Sequence, residues 1–407
     1  MINRKTGGAL ATVIALGFLA GTATAQPPAP APGAAGADQG AGAPGAGAPG
    51  QRRGPPGGGQ RPGGGAPPGG DLKVAAAPMV PGIRVDHIKV HATSMEGNLE
   101  GEPVDRDVVV TLPPSYGKDK SRHYPVLYFL HGFALTGQGF FDFMHIPETE
   151  DAAAKAGQEF IIVTPDSDTK LGGTMYSNSV TTGDAEAFIA KDVVGYVDSH
   201  YRTLAKRESR GLVGHSMGGY GTWKIAMRFP EQWGAIYAMS ACCMSPRTTT
   251  AEAAVKLAAI PYDKAPTAGF GDRASLASVA AWSPDPSKPP YYMDFGVKAD
   301  GTVDPLIVAK WANNSPLVMA TSHITQLKTF KAVASDGGDE DGLTKDAKIM
   351  HAQLDLYGVK NSFEEYKGNH TNRIVERFRT VVLPYFQANL VTKDSGGGKK
   401  AAAKKKS

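Results

Sequence analysis

The strongest constraint on this chain is a series of short, almost wholly apolar runs, each followed by a stretch of helical character: PVLYFLHG (125–132), EFIIVTP (159–165), RGLVGHS (210–216) and GAIYAMS (234–240). A strand with one wet face alternates apolar and polar residues; a strand covered on both faces does not. These runs, separated by a helix after Pro147, a helix from about 184 to 200 and a helix stopped at Phe229 by Pro230, therefore predict a parallel sheet with helices on both faces. The order resumes with FKAVAS (330–335), a helix over 344–357 ended by Gly358, and SFEEYKG (362–368). A last helix carries Ile374, Phe378, Val381, Val382, Tyr385 and Phe386 on one face, with Pro384 expected to kink it. Upstream, IRVDHIKVHA (83–92) and DVVVTL (107–112) alternate and read as an antiparallel pair entering the sheet. Between Ser240 and Phe330 lies a long irregular segment with a helical AEAAVKLAA (251–259), a proline-rich WSPDPSKPPYY and DPLIVAKWANNSPL (304–317). An insertion of that length is expected to be a cap or lid.

The ends differ in composition. Residues 1–25 carry Arg4 and Lys5, an apolar stretch from Ala9 to Ala20 and then Ala23-Thr24-Ala25, the layout of a cleavable export signal; the apolar stretch is shorter than the roughly 20 residues a spanning helix needs. Residues 26–78 are mainly Gly, Ala, Pro and Gln and have little to bury, so a disordered tether is expected, and the Lys-rich residues 393–407 read as a disordered tail. One ordered domain, 79–392, remains. The expected location is exported, periplasmic or secreted. The formal net charge of +4 owes its sign to the ends, and the body itself is net negative, which argues against a nucleic-acid-binding core. The tail is free to touch an anionic surface weakly. Oligomeric state has no signature in the sequence.

The two cysteines, Cys242 and Cys243, are adjacent. Neighbouring Cα atoms sit about 3.8 Å apart, below the ~4.4–6.8 Å of ordinary disulfides. A vicinal disulfide would be strained and is the alternative; two free, buried thiols are the expectation.

Chemistry enters with GLVGHSMGGYGTW (211–223), where a G-x-S-x-G follows an apolar run and opens a helix. In that setting a sharp strand-to-helix turn raises the serine hydroxyl above the sheet, which makes Ser216 the candidate nucleophile. Attack on a carbonyl develops negative charge that two backbone N–H groups must meet. Met217, directly after the serine, and Phe133 (or Gly132) of the HGF segment after an earlier strand are placed to supply them. Serine also needs a base, and the base an orienting carboxylate. Of the ten histidines, His323, His351 and His370 fall late enough in the chain, and His370, in the GNHTN loop between the last strand and last helix, is where an imidazole reaches back over the strand ends. The acidic SDGGDEDGL (335–343) offers Asp336, Asp339 and Asp341; Asp341 is preferred and Asp336 comes second. That loop lacks a calcium register, since taking Gly342 as the invariant glycine puts Gly337 at the first ligand and Lys348 where Glu is required. The sequence has no H-E-x-x-H and no Cys/His cluster. No metal or cofactor is expected.

Taken in order, VVVTLPPSYG, YPVLYFLHGF, DSHYRTLAKRESRGLVGHSMGGYG, FPEQWGAIYAMS, GDEDGL and GNHTNRIVERF resemble the esterase D-like family of α/β hydrolases, which includes feruloyl and acetylxylan esterases, S-formylglutathione hydrolases, enterochelin esterases and mycolyltransferases. The resemblance runs from about Val85 to Leu390. It implies an α/β-hydrolase fold with a cap before the acid strand, a Ser216–His370–Asp341 triad, Phe133 and Met217 as oxyanion donors, and Tyr176 and Asn178 of the MYSNS loop lining the substrate pocket. Thr371-Asn372 after the base and the extra aspartates depart from the common pattern. The expected activity is an exported serine esterase acting on a small-molecule or carbohydrate-linked ester. Acyl transfer to a sugar, and noncatalytic polysaccharide binding on a hydrolase scaffold, are the alternatives.

Overall fold

A computed structural model describes residues 74–393. The expected export signal, nearly all of the tether and all but the first residue of the Lys-rich tail lie outside the described residues.

Eight strands form one sheet: β1 (Arg84–His91), β2 (Asp105–Leu112), β3 (Val126–Leu130), β4 (Ile161–Pro165), β5 (Arg210–His215), β6 (Ala235–Met239), β7 (Ala332–Gly338) and β8 (Ser362–Tyr366). Their order across the sheet is β1-β2-β4-β3-β5-β6-β7-β8. β1 pairs antiparallel with β2, and β2 antiparallel with β4; the remaining pairings are parallel. The expected antiparallel entry and parallel body are both present.

The continuous apolar runs are explained by two cores. In β3, Val126, Tyr128 and Leu130 face one core while Leu127 and Phe129 face the other. Leu212 and Val213 of β5 divide in the same way. The helix Met217–Arg228 packs on the first face, and the helices Gly137–Phe143 and Ile146–Lys155 with the C-terminal helical segment cover the second. Each buried aliphatic side chain of such a strand contributes about 1.5–3 kcal/mol, so neither face tolerates a polar alternation.

Pro384 acts differently from a simple kink. The last helix runs as Ile374–Arg377, a wide π turn over Phe378–Val382, and Leu383–Asn389, with Pro384 in the first turn of the final piece. The missing N–H of proline is tolerated where a helical hydrogen bond is already skipped.

The segment between β6 and β7 is helical: Ala251–Ala258, Phe270–Trp282, Pro305–Ala312 and Pro316–Ser322. Trp282, Tyr291 and Trp311 are buried in the first core, as are Phe140 and Phe141 in the second, so these aromatics fill interiors. The buried Lys224 ties the insertion to the body: its ammonium donates to Ser177 Oγ and Asn314 Oδ1, each at 2.6 Å, and pairs with Glu186 at 3.2 Å. Among the described residues no helix is long and apolar enough to cross a membrane.

Candidate active site

Ser216 sits between the end of β5 and the helix Met217–Arg228, with φ 58° and ψ −115°. A non-glycine residue in that region costs of order 1–3 kcal/mol, and the surroundings hold it there. The Ser216 N–H donates to the Met239 carbonyl at 3.0 Å, and the Ser216 carbonyl accepts from Tyr220 and Cys242 N–H groups. The flanking glycines are required by proximity: a Cβ on Gly214 would lie 2.2 Å from the Gly218 oxygen, and one on Gly218 would lie 2.0 Å from the Leu130 oxygen. The turn therefore puts a partly exposed hydroxyl at the carboxyl end of the central strands.

His370 meets it. Its Nε2 lies 2.9 Å from Ser216 Oγ and its Nδ1 lies 2.7 Å from Asp341 Oδ2. A carboxylate only accepts, so Nδ1 carries the proton and Nε2 is left to accept from the serine. Burial works to raise the Asp341 carboxyl, but the hydrogen bond and charge of His370 and the Leu343 N–H together hold it below the ordinary value.

The other two aspartates of the loop are occupied elsewhere. Asp336 is buried and accepts from Arg377 Nε at 2.6 Å and from the Tyr237 hydroxyl at 3.2 Å. Asp339 pairs with Lys367 at 2.5 Å and accepts from the Gly368 N–H. Backbone bonds from Asp339 N–H to the Tyr366 carbonyl and from Glu340 N–H to the Gly368 carbonyl join the loops after β7 and β8. That seam brings Asp341 to His370.

The HGF segment lies across the serine. A Cβ on Gly132 would stand 3.5 Å from the Ser216 Cβ. His131 is fully buried, and burial lowers its pKa. Its Nε2 accepts from the Ser167 N–H at 2.8 Å, so its Nδ1–H donates to the Gly132 carbonyl at 2.8 Å. The peptide held in this way carries the Phe133 N–H. Among the described residues neither the Phe133 nor the Met217 N–H donates to another group of the chain.

Tyr176 and Asn178 are placed otherwise than expected. Tyr176 is completely buried and its hydroxyl donates to the His131 carbonyl at 3.2 Å, leaving no face for a substrate. Asn178 is exposed and donates to Asp184 at 2.8 Å. Tyr176 thus buttresses the HGF segment, and Asn178 stands at the surface.

One participant was not singled out from the sequence. His215, the residue inside G-H-S, donates from Nε2 to the His370 carbonyl at 2.8 Å, and burial, then the charge of His370, pushes its pKa down to about 3. The histidine is visible in the motif, but the direction of its ring is set by the β8 loop. Both cysteines also border the site, with the Cys242 N–H on the Ser216 carbonyl at 3.1 Å. Among the described residues no cluster of three His, Cys, Asp or Glu is arranged to hold a metal.

Comparison with known proteins gives a consistent picture. The family described as "Putative esterase" matches residues 103–388. An esterase of Mycobacterium tuberculosis is 36% identical over 130 residues, covering 30% of this chain and 26% of that protein. An S-formylglutathione hydrolase of Paracoccus denitrificans is 26% identical over 147 residues, 32% of this chain and 50% of that one. The chain thus spans between a quarter and a half of the length of these curated relatives. Among solved structures, a ferulic acid esterase superposes with TM-score 0.54 at 21% identity, covering 76% of this chain and 98% of that one. An S-formylglutathione hydrolase from Agrobacterium tumefaciens gives 0.51 at 13%, covering 79% and 100%. At these identities the likeness is one of fold, the α/β-hydrolase fold.

Proposed function

The chain belongs to this esterase family, and on that premise we propose that it is a carboxylic ester hydrolase that works through an acyl-enzyme on Ser216, with His370 as base and Asp341 as its orienting acid. The observation that carries the reading is the single imidazole bridging a strained serine and a buried carboxylate, at 2.9 and 2.7 Å.

The chemistry follows from those contacts. His370 Nε2 takes the Ser216 proton as Oγ attacks the ester carbonyl carbon. The oxyanion forms beside the Phe133 and Met217 N–H groups, which need no reorganisation to receive it. Asp341 stabilises the imidazolium through Nδ1–H, and the neutral His215 adds no like charge next to it. The alcohol leaves with the proton from Nε2. Water, deprotonated by the same nitrogen, then releases the acid.

We propose aromatic acyl esters, the class named for the ferulic acid esterase that shares this fold, as the substrates to try first. The charged, apolar and small-residue layout of residues 1–25 supports export with cleavage; cell fractionation with N-terminal sequencing tests that, and a chain confined to the cytoplasm with Met1 intact would contradict it.

The activity test uses a short nitrophenyl ester. Ser216→Ala is expected to abolish turnover, and rapid quenching of the wild type to show one acyl group on the peptide containing residue 216. Undiminished turnover by Ser216→Ala rules out the assignment. Adding a carbohydrate acceptor is expected to leave free acid as the product; formation of a sugar ester would turn the reading to acyl transfer.

A further inference from the structure

The loop after β6 places the two cysteines against the candidate nucleophile. Ser216 N–H donates to Met239, and Cys242 N–H donates back to the Ser216 carbonyl at 3.1 Å, so residues 239–242 run alongside the serine. Cys243 adopts φ 59°, unusual for a side chain with a Cβ. The outcome of this turn is that the two sulfurs lie 2.6 Å apart, both partly buried. Adjacency in the chain argued for two independent thiols; the fold instead holds them facing one another.

A cation attends them. Among the described residues Arg247 has no carboxylate partner; its Nε is buried without an acceptor and its guanidinium lies 5.5 Å over the Trp311 ring. Burial lowers its pKa, and the charge that opposes this is that of Cys243. The Cys242 thiol is pushed well up, first by its contact with Cys243 and then by burial.

We propose that Cys242 and Cys243 are a thiol–disulfide site coupled to Ser216, closed by small-molecule disulfides into a vicinal disulfide that slows ester turnover. Cys243 gives up its proton and attacks one sulfur of R–S–S–R, forming a mixed disulfide and expelling one thiolate, which takes up a proton. Cys242 then gives up its proton and attacks the Cys243 sulfur, expelling the second thiolate. Two protein thiols are oxidised and one small disulfide is reduced to two thiols. Closure fixes the Cys242–Cys243 peptide, whose neighbour holds the Ser216 carbonyl through the Cys242 N–H. The effect on turnover rests on Ser216 being the nucleophile; the disulfide itself does not.

The test treats the fully reduced, full-length protein with oxidised glutathione. Intact mass is expected to fall by two hydrogens with no glutathione retained, both thiols to become unreactive to alkylation, and kcat/KM for a nitrophenyl ester to drop several-fold and return with a phosphine reductant. Cys243→Ser and Cys243→Ala are expected to lose that sensitivity. Thiols still free after treatment, a glutathione on each cysteine, or a formed disulfide with unchanged turnover would overturn the proposal. Labelling of the reduced protein by a fluorophosphonate distinguishes the two readings: no label on Ser216 removes the catalytic assignment, while the mass measurement still decides whether the disulfide forms.

Discussion

His215 and His370 face each other with ring centroids 4.8 Å apart, and the His215 Nε2–H donates to the His370 backbone carbonyl at 2.8 Å. The residue before Ser216, the proposed nucleophile, thus anchors the loop that carries His370, the proposed base. Replacing His215 by Phe keeps a ring and removes the donor, leaving a carbonyl of the base loop unpaired. A net hydrogen bond of about 0.5–1.5 kcal/mol felt in the transition state corresponds to a drop in kcat of up to about tenfold, with KM little changed. His215→Gln, which retains a donor, should recover part of the rate. An unchanged kcat in His215→Phe would show that the loop holds its position without this contact.

The same residue makes stability sensitive to acid. In the unfolded chain a histidine takes up a proton near its ordinary pKa of about 6.5, whereas His215 in the native state does so at about 3. Between those values the unfolded state binds more protons, so each unit fall in pH costs up to about 1.4 kcal/mol of stability from this group. Urea unfolding at neutral pH and at several points down to about pH 4 should therefore show a shallower loss for His215→Phe than for the wild type. Parallel curves would contradict the depressed pKa.

The three aspartates after β7 should separate cleanly on mutation. Asp341→Asn is expected to cut kcat by about 10⁴-fold, because the amide no longer fixes the Nδ1–H tautomer of His370. Asp336→Asn takes one of two carboxylates from the buried Arg377, which keeps Glu364 at 2.8 Å, and should destabilise the fold by about 1–3 kcal/mol, with residual activity tracking the folded fraction. Asp339→Asn, at an exposed ion pair, should alter neither much. Steady-state kinetics alongside thermal unfolding distinguishes these outcomes, and a catalytic loss largest at Asp336 would reassign the acid.

Tyr176→Phe tests whether the MYSNS loop supports or lines the site. Losing the bond to the His131 carbonyl should cost about 1 kcal/mol of stability and lower kcat modestly by loosening the HGF segment, with KM unchanged. A large rise in KM would mean that Tyr176 touches substrate after all.

How much of this was legible depended on where each constraint lies. The strands β3 to β6 were readable because burial on both faces leaves no polar alternation, and the nucleophile turn because Gly214 and Gly218 stand where a Cβ would strike backbone. The far half of β7 was not: Ser335-Asp336-Gly337-Gly338 has the composition of a loop, yet pairs with β8 through Gly338. A Cβ on Gly338 would lie 2.1 Å from the Gly368 oxygen, so the glycine serves a close approach between strand ends. The helix Phe270–Trp282 gave no warning either, since its buried residues include the small Ala277, Ser278, Ala280 and Ala281. Tyr176 was placed in the pocket by resemblance alone, and its burial beneath His131 is decided by residues distant in the chain. The thiol pair was visible as a dipeptide; that its sulfurs face each other beside Ser216 depends on the turn after β6.

The most direct measurement of the central claim is covalent labelling with a fluorophosphonate followed by peptide mapping. The account predicts one adduct, on Ser216, strongly slowed in His370→Ala and absent in Ser216→Ala. An adduct on another residue, or undiminished labelling of Ser216→Ala, would contradict it.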